Sequence, residues 1–120
     1  MNESKKIPLV RTAIGIAPLE VKEEGAEKVV IRRIFTEAEG APTFAMRLFE
    51  LAPGGNTPLH RHPHEHEVYI VEGRAEMTTE EGAVSLQSGD AILVYPEALH
   101  NFKNTGESPL RFLCFVPNKR

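Results

Sequence analysis

The stretch His60-Arg61-His62-Pro63-His64-Glu65-His66-Glu67-Val68-Tyr69-Ile70-Val71-Glu72-Gly73 holds four of the chain's five histidines and runs directly into an apolar strand pattern. Residues two apart on a strand project from one face, so His60 and His62 are expected to close on one point while Arg61 turns away. Pro63 cannot donate to a sheet ladder and is read as the start of a turn. After it, His66, Val68 and Ile70 share the inward face, and Glu67, Tyr69 and Val71 the outward one. His64 falls in the turn and is expected to face solvent. The fifth histidine, His100, follows Pro96-Glu97-Ala98-Leu99 at the start of another strand and has to arrive from across the fold.

The same strand rhythm runs through the rest of the chain. Short apolar or alternating runs cover 29–35, 44–51, 66–72, 75–79, 83–86, 91–94 and 110–116. Between them stand turn-forming clusters at 39–42, 53–56, 72–73, 80–82, 88–90 and 104–109, which read as hairpin loops. There is no sustained helical period and no repeat, so the expected class is all-β, a sandwich or a closed barrel. In a small barrel, alternate side chains point inward and the mouth holds a ligand.

Composition fits this reading. With 120 residues, 41% of them hydrophobic and 26% charged, the chain suits one domain over 1–120, with residues 1–6 expected as a flexible tail. A net charge of −3, with scattered Lys and Arg, gives no basic field for nucleic acid. The apolar stretch 7–21 is interrupted by Pro8, Arg11, Gly15, Pro18 and Glu20, so neither a signal peptide nor a membrane span is expected. The single cysteine, Cys114, has no partner for an internal disulfide and lies in an apolar run, which fits a reducing, cytoplasmic setting. That run, 110–116, is apolar on both faces. A homodimer with packed sheets is the expected reason.

Two motifs then resemble the cupin superfamily. Gly54-x5-His60-x-His62-x3-His66-x6-Gly73 matches the first cupin motif, and Gly89 through Tyr95-Pro96 to His100 and Asn104 matches the second. The resemblance covers about fifty residues and implies a small single-domain cupin, a double-stranded β-helix (jelly-roll) barrel of the conserved cupin 2 type. Two departures stand out. The usual first motif has glutamate in place of His66, and the usual second motif has proline and glycine in place of Tyr95 and Glu97. Glu65 and Glu67 each stand one residue out of register with the inward face, so neither is expected to replace that carboxylate. The resemblance to four-histidine small cupins implies a metal on His60, His62, His66 and His100. Their last strand lines the pocket, which implies that Phe112 and Cys114 lie near the ion.

Four neutral imidazoles suit one divalent transition metal per chain, Mn or Fe favoured, with Ni, Zn, Co or Cu also suited. Four protein ligands leave an octahedral ion two open positions for a small, oxygen-chelating substrate. Resemblance to cupin dioxygenases makes oxidation the leading reaction class. A metal that merely braces the barrel, a non-enzymatic sensor or binding module, and a cupin-type isomerase are the alternatives. Arg47 is read two ways, as a pocket cation that holds a substrate carboxylate through its planar fork or as an exposed rim residue. Tyr69 and Tyr95 are given packing roles.

Overall fold

The computed structural model describes residues 6–119. The tail expected over 1–6 therefore lies, apart from Lys6, outside the described residues. Nine strands follow one another: β1 (Leu19–Glu20), β2 (Glu27–Phe35), β3 (Phe44–Asn56), β4 (His66–Glu72), β5 (Arg74–Thr79), β6 (Gly82–Gln87), β7 (Ala91–Val94), β8 (Asn101–Asn104) and β9 (Leu110–Pro117). Every pair is antiparallel, and the order across the sheet is β6-β5-β8-β3-β9-β4-β7, with β2 also on β3 and β1 on β2. The sheet curls into a barrel, the jelly roll that the sequence leads one to expect. Among the described residues, the only helical segments are two single 3₁₀ turns, and none is long and apolar enough to cross a membrane.

The β3 strand joins the two halves of the barrel. Its first part pairs with β9 from Phe44 to Leu51, and its last residue, Asn56, pairs with Lys103 of β8. The segment 53–56, expected as a hairpin loop, is instead a corner within this one strand. Gly54 adopts φ +82°, and a Cβ on Gly55 would stand 2.8 Å from the Glu27 carbonyl oxygen and 2.9 Å from that of Ala52. The glycines thus let the strand kink and carry on rather than reverse.

Alternation places the core. In β4, His66, Val68 and Ile70 are buried while their neighbours are exposed, and in β9 Leu110, Phe112, Cys114 and Val116 point inward. These side chains meet Val29 and Leu51 of the neighbouring strands and Ala75, Leu86 and Phe102 from the facing half. Full burial of a side chain such as Phe112 stabilises by roughly 1.5–3 kcal/mol, so the β9 row alone anchors both halves. Asn104 fixes the turn into β9. Its buried side-chain amide donates to the carbonyls of Leu51 and Ser108, at 2.9 Å each, and its side-chain oxygen accepts from Gly106 N–H at 2.9 Å.

Candidate metal centre

The histidines converge because a backbone bridge joins two distant segments. His60 N–H donates to the His100 carbonyl at 3.2 Å and His100 N–H donates to that of His60 at 3.1 Å, outside any named strand. Glu97 N–H donates to the His62 carbonyl at 2.7 Å, which pins the loop before His100 against the first histidine segment. His66 enters as the first residue of β4.

His60, His62 and His100 each present a ligating nitrogen within 4.8 Å of the others. His66 stands beside this trio, its ring centroid 4.6 Å from that of His62 and 5.0 Å from that of His100. Each ring also has a polar partner. His60 Nδ1 lies 3.4 Å from Glu23 Oε2, His100 Nδ1 lies 2.9 Å from the Ala98 carbonyl oxygen, His66 Nδ1 lies 3.1 Å from Cys114 Sγ, and the His62 ring is hydrogen-bonded to the His64 backbone. The Glu23 carboxylate and the Ala98 carbonyl can only accept, so they take the N–H of His60 and His100 and leave the other nitrogen's lone pair available. On His66 that other nitrogen, Nε2, is buried with no protein hydrogen-bond partner.

The electrostatics point the same way. Burial, with smaller contributions from the charges of His100, His62, Arg47 and His64, holds the His66 imidazole down at about 3 from an ordinary 6.5. Burial also lowers the pKa of His100 and His62, the latter with help from His60. Neutral imidazoles are the form that binds a metal. A buried unpartnered nitrogen beside three converging ones fits a transition ion, because an orphaned buried acceptor otherwise carries a desolvation cost of about 1–3 kcal/mol.

The rings of His60, His62, His66 and His100 line a cavity of about 390 Å³, and Arg47, Phe112 and Cys114 line it too. Arg47 projects inward from β3 opposite Cys114, and its Nη2 donates to Cys114 Sγ at 3.0 Å. His64 differs from the expectation of solvent exposure. It is half-buried with its ring stacked on His62, 4.2 Å between centroids and 4° between planes, because the bend at Pro63 and His64 folds it back over its neighbour. Glu65 and Glu67 are exposed on the outer surface and share a hydrogen bond that raises the Glu67 pKa. No carboxylate belongs to the histidine trio. Tyr69 and Tyr95 are exposed, outside the cavity. Sequence reasoning missed Glu23, which lies between β1 and β2 in no recognisable motif, and the cavity walls from Phe49 and Phe102.

The family model described as "Cupin domain" matches residues 47–116. A curated relative, the 1-methylthio-D-xylulose 5-phosphate methylsulfurylase of Rhodospirillum rubrum, is 32% identical over 108 residues, covering 88% of this chain and 69% of its own. The solved polyketide cyclase RemF of Streptomyces resistomycificus superposes with a TM-score of 0.89 at 28% identity, covering 95% of this chain and 82% of that one. A cupin-2 domain from Rhodospirillum rubrum gives a TM-score of 0.80 at 27% identity, covering 97% and 78%.

Proposed function

The chain belongs to the Cupin domain family, and from that premise we propose that its pocket is the centre of a metal-dependent enzyme acting on a small, oxygen-chelating organic substrate. The observation that carries this reading is the buried, unpartnered Nε2 of His66 beside the trio His60, His62 and His100. Those four residues would hold one divalent transition ion, Mn or Fe favoured, with Ni, Zn, Co or Cu also suited to an imidazole set. Such an ion supplies Lewis acidity and, for Mn or Fe, one-electron chemistry with dioxygen. The leading reaction class is therefore oxidation of the dioxygenase type.

The chain's own groups prepare the pocket. Glu23, the Ala98 carbonyl and Cys114 hold Nδ1 of His60, His100 and His66, so the rings keep their orientation. Phe49, Phe102 and Phe112 wall the cavity with apolar surface, which excludes water and strengthens polar contacts inside. With no acidic ligand, the site would keep the full divalent charge and favour an anionic oxygen chelate. The lone buried thiol supports a reducing, cytoplasmic setting.

A second reading, non-redox carbon chemistry at an enolisable carbonyl, is favoured by one observation. The methylsulfurylase and the polyketide cyclase are each similar over most of this chain. The test loads the chain separately with Mn(II), Fe(II) and Zn(II) and offers 2-hydroxy acids, 2-keto acids and 1,3-diketones. Oxygen uptake with Mn or Fe but not Zn is the expected result. Substrate C–H exchange with deuterated solvent, with Zn as effective as Fe and no oxygen uptake, would replace oxidation by the second reading. Retention of a panel compound by metal-free protein with no turnover under any metal would make the chain a non-enzymatic binding module.

A further inference from the structure

We propose that Arg47 is the anchor for an anionic group of the ligand, so that the pocket takes a small organic oxyanion, a carboxylate or a phosphate ester, with its remaining oxygens turned toward the histidines. This deepens the reading of the histidine pocket as the ligand site and rests on it.

Among the half-buried arginines of the described residues, Arg47 is set apart by its lack of a carboxylate; Arg33 and Arg74 are also unpaired but are exposed. Among the described residues, Arg11 pairs with Glu39, Arg32 with Glu50, Arg61 with Glu80, and Arg111 with both Glu50 and Glu72. Arg47 has no acidic side chain of the described residues within ion-pair distance, although it is half-buried and lines the cavity. Its contacts are weak ones. Nη2 donates to the Cys114 sulfur at 3.0 Å, and the guanidinium stands 5.1 Å from the Phe49 ring centroid. Its Nε is buried with no hydrogen-bond partner. A guanidinium is a fixed cation, and taking part of it out of water without a counter-ion is costly. Directly across the β2–β3 ladder stands a second cation, Arg33, and like charges opposite one another oppose pairing.

An oxyanion entering the cavity relieves this arrangement. The planar fork offers parallel N–H donors to a carboxylate or phosphate, a geometry a single sulfur cannot satisfy. Among the described residues, the only acidic one lining the cavity is Glu23, and it is engaged with His60. Arg47 and the histidine rings line the same cavity, and the Cys114 sulfur that Arg47 Nη2 reaches at 3.0 Å also lies 3.1 Å from His66 Nδ1. A cavity of about 390 Å³ sits at the small end of ligand pockets, so one molecule bridges arginine and histidines.

The test titrates the full chain at pH 8, metal-free after chelator dialysis and again Zn-loaded, with inorganic phosphate and with succinate. Binding is read from the NMR shifts of the histidine rings, and metal content is measured on the same samples. The variants are Arg47→Gln and Arg47→Lys, the latter keeping the charge and the aliphatic stem. The expected result is binding in the parent, weakened at least about tenfold in Arg47→Gln and less in Arg47→Lys, with zinc content unchanged. Tighter phosphate than succinate assigns a phosphate ester, and the reverse order a carboxylate. Equal binding by parent and folded Arg47→Gln, or no binding of either probe below about 10 mM, overturns the proposal. A parent that takes up no zinc yet binds phosphate through Arg47 overturns the metal reading and leaves the anion anchor standing.

Discussion

His60 and His100, forty residues apart, exchange both backbone hydrogen bonds, at 3.1 and 3.2 Å, and their ring centroids lie 5.3 Å apart. This bridge joins the two histidine segments and sets two of the proposed ligands before any ion arrives. A ligand that binds only the folded chain stabilises it by about 2.7 kcal/mol at one hundred times its dissociation constant. Excess Zn(II) is therefore expected to raise the Tm by about 10 °C, reversibly with chelator, in the parent but not in His100→Ala. Equal shifts in both proteins, read by circular dichroism, would contradict the assignment of His100.

The metal-free chain is expected to lose stability on mild acidification. Burial holds the folded-state pKa of His66 at about 3 against an ordinary 6.5, so between these values the unfolded chain binds the extra proton. The contribution is fully present above about 6.5 and lost as pH falls, by up to about 1.4 kcal/mol per unit. His62 and His100 act in the same direction. The window from 6.5 down to 5 lies above the ordinary carboxylate value of 4.5, where salt-bridged Glu50 begins to matter. Urea titrations at pH 7 and 5.3 check the slope, and unchanged or greater stability at pH 5.3 would contradict it.

Glu97 occupies a glycine's conformation. Its φ of +67° is left-handed, in the loop that delivers His100, where the cupin motif usually carries glycine. Its backbone N–H and carbonyl do the structural work, holding His62 O and accepting from Arg61 Nη1 at 3.1 Å. Glu97→Gly keeps both bonds and removes the strain, so it is expected to stabilise by about 0.5–1 kcal/mol. A loss of stability in chemical denaturation would show that the Glu97 side chain contributes something else.

The outer face of β3, β9, β4 and β7 carries Phe44, Tyr69, Val71 and Leu93, each more than 40% exposed, with Leu113 and Phe115 half-exposed between them. Apolar surface of this extent favours covering by a second copy. Light scattering at micromolar concentration is expected to give twice the chain's mass, and Phe44→Glu to shift it toward the monomer. A monomeric parent removes the homodimer.

Much of this was legible in the sequence because alternation and turn chemistry are local. Residues 66–72 and 91–94 form the expected strands, and the inward register of His66, Val68 and Ile70 follows from period two alone. Where local signals conflict, the reading fell short. Pro53-Gly54-Gly55 has turn composition but sits inside β3, since a kinked strand and a hairpin draw on the same residues. The two-residue β1 is too short to leave a pattern. Glu23 reaches His60 through tertiary placement that no spacing encodes, and the stacking of His64 on His62 depends on the bend at Pro63. That Arg47 faces inward follows from its register with Cys114, which belongs to the pairing of β3 with β9.

The most direct test of the central claim is elemental analysis of the untagged chain beside His62→Ala and His66→Ala, each loaded with metal and then dialysed at neutral pH against metal-free buffer. About one transition ion per chain in the parent, absent in His62→Ala and much reduced in His66→Ala, is the predicted result. A folded parent that neither retains nor takes up Mn, Fe, Ni or Zn would contradict the metal centre outright.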